Sequence, residues 1–595
     1  FGEWLPKKYT GTYGTNGFYL EALDSADLGK DTSGNGNDFT NDNAVQVTDT
    51  PTDNFATLNP LNASTGVTLK NGNLSVSNTA NQSSSATIKP TSGKWYWELP
   101  ITVSSTGNYL GIKDADSTAT TYAGDAVGCN RTGDIYFNNA NTGKNGAPTW
   151  SGGVGDIIAI AWDADDKKIW WSKNGQWYTA NAASAVAIDI SEVVAGNSGY
   201  DYSSQLGNSG PYVGCSDAGT NIDINFGQKP LAYAPPTGFK ALSTQNLPDA
   251  TVVPSENFDV GLWTGNGSAS GPSVTNLNFK PELLWSKSRS TVANNYLYDI
   301  VRSPGDSPNK FLGSNTTDVE QTFNAFTLTD TGFNLATDNI YFNQADQSYV
   351  AWNWKAGGTA VTNNEGTIES QVSANPDAGF SVVKTQTGSA GTQTIGHGLD
   401  TPPQLIFMKP LEQAGLWATY EGVAGNPAQA YAYLNLNDPF NNDPLQWSET
   451  GDVVPTSSVF NINTGYTFGA SGVGIPIVAY CFASKEGYSK IGTYEGNSNA
   501  DGPFIYTGFR PAFIMTKCAT SAGEWEMYDT SRGQFNAVTE TLAAESSASE
   551  LNTYTIDILS NGFKQRQFYD TQNGNGKTYI YIAFAEQPFK NANAR

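Results

Sequence analysis

The sequence predicts an all-β chain of several domains, and three observations lead there. No long segment repeats apolar residues at helical spacing, and Leu-, Glu- and Lys-rich stretches are nearly absent. Gly (62), Asn and Thr are frequent, and short alternating apolar runs sit between turn residues, the pattern of strands joined by tight turns. The 595 residues exceed one ordinary core; at ~100–200 residues per domain they imply roughly three to five.

The back half carries an internal repeat. Stretches starting at Phe258 (FDVGLWTGNG), Phe380 (FSVVKTQTGS) and Tyr488 (YSKIGTYEGN) share one layout. A proline follows 23 positions later (Pro281, Pro403, Pro511) and a lysine 29 later (Lys287, Lys409, Lys517). A Tyr–acid pair opens at 40 (Tyr298-Asp299, Tyr420-Glu421, Tyr528-Asp529). Each copy closes on Gly plus an aromatic (Gly332-Phe333, Gly465-Tyr466, Gly562-Phe563), then a strand: YVAWNW, IVAYCF, YIAFAE. Start-to-start spacings of 122 and 108 fit whole domains and not solenoid units. The reading is three tandem, related β-sandwich domains over 250–357, 370–484 and 486–590. The polar, Gly-rich stretch 355–370 reads as a linker. Extra residues in the second copy predict an inserted loop around Asn437 to Thr456.

The front half holds GDIIAIAWDADDKKIWWSKNGQW (Gly155 to Trp177), with four acids, three lysines and four tryptophans. Carboxylates beside tryptophans suit a glycosidase, which needs two carboxylates about 5–10 Å apart across a cleft. Here Asp163, Asp165 and Asp166 share one turn, and nothing separates their acidities. The hairpin reading is preferred. Ile157 to Trp162 and Ile169 to Trp171 form strands, DADDKK a turn, and KNG a second turn with the strong Asn-Gly signal. Neighbouring strand residues point to opposite faces, so at least one of Trp170 and Trp171 belongs to the core. Asp163, Asp165, Asp166 and Trp177 are the candidate surface-contact residues.

SGKWYWEL (Ser92 to Leu99), the stretch just quoted and NIDINFGQKPLAYAPPTGF (Asn221 to Phe239) together resemble a SPRY domain, in the right order and across about 150 residues. The resemblance implies a bent, concanavalin-like β-sandwich over 61–242, used for binding and not catalysis. Its ligand surface would be made by variable loops, so no binding residue carries over. Residues 1–60 form an N-terminal β segment whose DTSGNGNDF resembles a laminin-G-like turn phrase. The whole combination, with NFATLNPL (Asn54 to Leu61) and repeats of the GTYEGN…GFRPAFIMTK kind, resembles structural proteins of marine bacteriophage virions. The expected fold is thus a SPRY sandwich followed by three tandem related sandwiches.

Acids outnumber bases 56 to 32, for a net charge of −24. That excludes a phosphate-backbone binder and simple docking to anionic membranes, and no apolar run reaches the ~20 residues of a membrane span. Cys129, Cys215, Cys481 and Cys518 form no CxxC pair and read as buried thiols. His397 is the sole histidine, and no G-x-S-x-G elbow accompanies it. DADSTATTYAGD (Asp114 to Asp125) opens like a calcium loop but lacks its Gly and terminal Glu. No cofactor is expected; oxygen-rich loops leave weak calcium binding open. The repeated Tyr–acid pairs and lysines read as structural, because active sites are seldom copied threefold.

The functional expectation is a non-enzymatic phage virion protein, a tail fibre or appendage with host-surface glycan as candidate ligand. Its expected partners are other virion proteins and further copies of itself, as a trimer by analogy with fibres. It would be assembled in the host cytoplasm and displayed on the extracellular particle. The alternatives are a capsid decoration or tail scaffold, a secreted bacterial adhesin or filament subunit, and a glycan-processing enzyme. The chain begins at Phe1 and not at Met, which leaves room for an earlier segment with a targeting or anchoring role.

Overall fold

The computed structural model describes the chain except residues 1–6, 43–45, 51–52, 80, 104–106, 118–123, 151–153, 218–219, 306–307, 338, 340, 390, 425–429, 444, 452, 465–472 and 592–595. Its described residues are almost wholly strand and turn, and their one α-helix is the single turn Ile190–Val194. The chain is multi-domain: two compact units span Phe1–Pro248 and Asp249–Arg595.

The first unit is a two-sheet sandwich of seven and ten strands. Lys94–Val103 lies inside the ten-stranded sheet, with Ile157–Asp163 beside it in antiparallel register and Lys168–Lys173 beyond. Both faces of this sheet are covered, so Trp162, Trp170 and Trp171 are all fully buried. Trp171 donates its indole N–H across the sandwich to the Leu110 carbonyl at 2.8 Å. Trp170 packs on the opposite face with Tyr96, Trp177, Val193 of the short helix and Phe239. Asn174 and Gly175, both at positive φ, make the two-residue hairpin turn. Residues 1–60, expected as a separate segment, belong to this unit: Leu58–Ala63 is a strand of the seven-stranded sheet, and Phe55 bridges Ser243.

In the second unit one topology occurs three times. Each large sheet runs first strand, last strand, proline-led strand, Tyr–acid strand. In the first repeat these are Phe258–Thr264, Ser348–Trp354, Leu283–Ser288 and Tyr296–Asp299. The second repeat has Phe380–Gln386, Pro476–Phe482, Leu405–Pro410 and Ala418–Glu421. The third has Ser489–Glu495, Thr578–Pro588, Phe509–Cys518 and Glu526–Asp529. A small sheet closes each sandwich over its own core.

The other face of each large sheet is also buried, against the other two repeats. One apolar cluster takes residues from all three, including Trp354, Phe482 and Phe584. These rings form a triangle with centroid separations of 6.2, 5.5 and 6.0 Å. They occupy one register position: Trp354 pairs with Phe258 and Leu283, Phe482 with Phe380 and Leu405, and Phe584 with Ser489 and Phe513. The repeats therefore surround a pseudo-threefold axis. Each proline lies two residues ahead of Leu283, Leu405 or Phe513, a common place in the three sheets.

Several sequence expectations shift by small steps. Ser489, not Tyr488, stands where Phe258 and Phe380 stand, because the third repeat enters its first strand one residue later. Its last strand matches YVAWNW through Tyr579–Phe584, two residues ahead of YIAFAE. Residues 355–370 are not a free linker: Val361–Asn363 pairs with Ser370–Asn375, and both extend the second large sheet. The second repeat spends 434–458 between Ala430–Tyr433 and Val459–Asn463 where the others spend 314–325 and 544–555 between the matching strands, with the short strands Asn441–Asn442 and Gln321–Phe323 inside the first two spans. That added length buries Trp447 against Tyr420 in the sandwich core. Gly465-Tyr466 lies outside the described residues.

Large sheets apolar on both faces cannot stay soluble one at a time. Residues 249–595 expressed alone should fold and unfold in one cooperative transition, whereas 250–357 alone should aggregate or stay unfolded. Solubility and calorimetry check this; a soluble, cooperatively folded single repeat would contradict it.

Candidate functional site

The DADD turn is fixed by its first aspartate. Asp163 is fully buried, pairs with Lys94 at 2.9 Å and accepts the backbone N–H groups of Asp165 and Asp166. Asp165 in turn accepts from the Gly93 N–H. Trp177 is 4% exposed, in the cluster under the short helix. Asp163 and Trp177 are thus corrected from surface contacts to framework: the sheet's outer face is roofed, and the carboxylate is used to close its own turn. Asp165 and Asp166 alone of the four are exposed.

The residues repeated in the second unit hold the repeats to one another. Lys287, Lys409 and Lys517 are buried, and burial pushes each ammonium down to about 8. Lys287 donates to Ala293 and, in the third repeat, to Ser547. Lys517 donates to Gly523 and, in the second repeat, to Asn437. Lys409 donates to Gly415, whose N–H reaches Thr317 of the first repeat at 3.0 Å. Equivalent side chains run the same way round. Asn295 donates to Ala543 and Ala544, Trp417 to Gly313, and Trp525 to Tyr433. Every repeat therefore docks on a different neighbour, in cyclic order.

The acids of the Tyr–acid pairs sit at the same junctions. Asp299 pairs with Arg302 and accepts the Tyr480 hydroxyl from the second repeat at 2.8 Å. Asp529 pairs with Arg532 and accepts the Trp352 indole N–H from the first repeat at 3.0 Å. The second repeat breaks the pattern. Ala424 stands where the arginines stand, and Ile582 holds the register place of Tyr480 and Trp352. Glu421, 1% exposed, keeps among the described residues only the N–H groups of Val423 and Ala424, and burial pushes its carboxyl up to about 7.

The other chemical candidates are likewise structural. His397 is buried; its Nδ1 accepts the Leu399 N–H, which leaves Nε2 to donate to the Thr456 carbonyl. The four cysteines are buried and unpaired as disulfides. No group of three or more His, Cys, Asp or Glu among the described residues could hold a metal ion. The Asp114 to Asp125 loop falls partly outside the described residues.

The second unit also has open features among its described residues. A groove of about 1170 Å³ lies between the first and second repeats, and one of about 450 Å³ between the third and first. Phe568 and Tyr569 form an exposed ring pair on a loop of the third repeat, with centroids 4.7 Å apart. The sequence could not place the grooves, because they arise only where repeats meet.

Glu421 supplies a test. The folded carboxyl keeps its proton up to about 7, while the unfolded one releases it near 4.5. Between those values the folded state binds more protons, so its contribution is full below 4.5 and falls as pH rises to 7. The loss is about 3 kcal/mol. Glu545 and Asp259 are raised into the same range, so in denaturant unfolding between pH 4.5 and 8 the native chain should lose about 3 kcal/mol more unfolding free energy than Glu421→Gln does; identical pH dependence in both would contradict it.

Comparison with known proteins assigns a family through the second unit. Residues 253–588 match a family model described as "Domain of unknown function (DUF7483)". No curated protein matches the chain. Among solved structures, the SPRY domain of human HERC1 is similar at 17% identity over 28% of this chain and 96% of that one, with a TM-score of 0.21. A human SPRY domain is similar at 14% over 28% and 98%, TM-score 0.19. The TRIM65 PSpry domain is similar at 11% over 29% and 92%, TM-score 0.21. The family match runs through all three repeats and more than half of the residues, and the chain belongs to the DUF7483 family.

Proposed function

We propose that this protein is a structural component of a bacteriophage virion, of the tail-fibre or appendage type, that acts by contacting the host surface. The observation that supports a contact role best is the use made of the repeated polar residues. The lysine and the acid recur in all three repeats and the arginine in two, all buried at junctions, and Lys287, Lys517, Asp299 and Asp529 reach groups of a neighbouring repeat. What is copied is an assembly device, not a set of reacting groups. The motif resemblance of the whole chain to marine phage virion proteins supports the virion assignment. The strongly acidic surface fits a particle exposed to salt, where screening limits self-repulsion. The partners under this reading are other virion proteins, further copies of the chain and neutral glycans of the host, with no nucleic acid.

Labelled antibody on intact particles tests the reading. Label on the tail or its appendages is the expected result. Label over the head would assign the chain to capsid decoration, and label confined to bacterial cells would assign it to an adhesin. Mass measurement in solution should give a homo-oligomer; a monodisperse monomer at high concentration would contradict that part.

A further inference from the structure

We infer that the groove between the first and second repeats is a binding site for an uncharged, hydroxyl-rich glycan chain. The inference deepens the contact role proposed above. Its first support is broken symmetry. The equivalent junction between the third and first repeats is narrowed by an Arg510–Glu586 ion pair at 2.8 Å and by Phe535. At the first junction the matching positions are Lys280, Ala356 and Gly305, so no carboxylate stands in the place of Glu586 and no ring in that of Phe535. The cavity is correspondingly larger, about 1170 against 450 Å³. The strand Ser370–Asn375, part of the sheet extension peculiar to the second repeat, also lines it.

The second support is the chemistry of the walls. Gln371 and Lys384 are cross-strand neighbours, on the face opposite Val372 and Val383, which fill the sandwich core. Gln386 shares that outer face, two residues beyond Lys384. The Lys384 ammonium, the Gln386 amide and the Glu369 and Glu412 carboxylates have no hydrogen bond or ion pair among the described residues. Ligand groups that both donate and accept satisfy such a wall: a sugar hydroxyl donates to a carboxylate and accepts from an ammonium. An anionic ligand would face Glu369, Glu412 and a chain of net charge −24. A cationic one would face Lys280 and Lys384. An apolar ligand would leave these groups desolvated and unpaired. The volume is of the order of ligand clefts, ~300–1,000 Å³.

The test uses the full chain against immobilised neutral oligosaccharides, their sulfated and uronic-acid counterparts, and unrelated peptides. Two variants probe the groove: Lys384→Ala with Gln386→Ala, which removes wall groups, and Thr359→Trp, which fills space. Phe535→Ala at the other junction is the control, and unfolding temperatures confirm that all variants fold. Neutral glycans should bind, and both groove variants should weaken binding about tenfold or more, as expected for lost hydrogen bonds to a charged group. The control should bind as the native chain does. The inference is overturned if no neutral glycan binds, if charged glycans or peptides bind in preference, or if both groove variants bind normally. Particles that carry the protein without glycan binding would sink this inference and leave the virion role standing; the reverse result would do the opposite.

Discussion

Three aromatic rings on one axis, Trp354, Phe482 and Phe584, are the constraint on which the second unit depends. A β-sandwich ordinarily buries one face of each sheet and exposes the other. Here the large sheets are buried on both faces, each between its own small sheet and the two sister repeats. The hydrophobic effect that would expel a lone repeat from solution thus becomes the force that closes the set.

Closing apolar sheets around an axis leaves polar backbone at the seams, and the repeated lysines and acids answer that problem. A buried ammonium is costly unless its donors are met; Lys287 and Lys517 each reach one carbonyl of their own repeat and one of a neighbour. The arginine–carboxylate pairs do the same at two of three seams, with a ring or hydroxyl from the adjoining repeat. The second repeat departs from the pattern in a coordinated way, with Ala424 and Ile582 replacing both partners of the acid. The first and second repeats also meet across the wide groove. The unit thus departs from threefold symmetry both at the Glu421 seam and at the groove.

Much of the fold was legible because strands obey local rules. The anchors Pro281, Pro403 and Pro511 marked the same strand three times, and the Asn174-Gly175 turn marked the hairpin. The slips came where pairing, not composition, decides register: at Ser489 and at Tyr579–Phe584 the partner strand sets the alignment. Asp163 and Trp177 looked exposed because turns and mixed charge usually are, yet Lys94 and the short helix cover them. Their burial depends on Lys94 for Asp163 and, for Trp177, on Tyr96 and Phe239 as well as the helix, none of which the turn itself reveals. The same holds for the groove, whose walls come from two repeats and include residues 358–360 and 368–370 of a stretch that reads as linker. The structural reading of the repeated lysines needed no contact information, since copying alone argues against catalysis. Their partners did need it.

Native-state hydrogen exchange on the full chain tests the shared core most directly, read in the strands Ser348–Trp354, Pro476–Phe482 and Thr578–Pro588. With Phe584→Ala the account predicts that protection falls in all three strands together, by the about 3–5 kcal/mol of a large-to-small core substitution. A loss of protection confined to the third repeat would show three separate cores and contradict it.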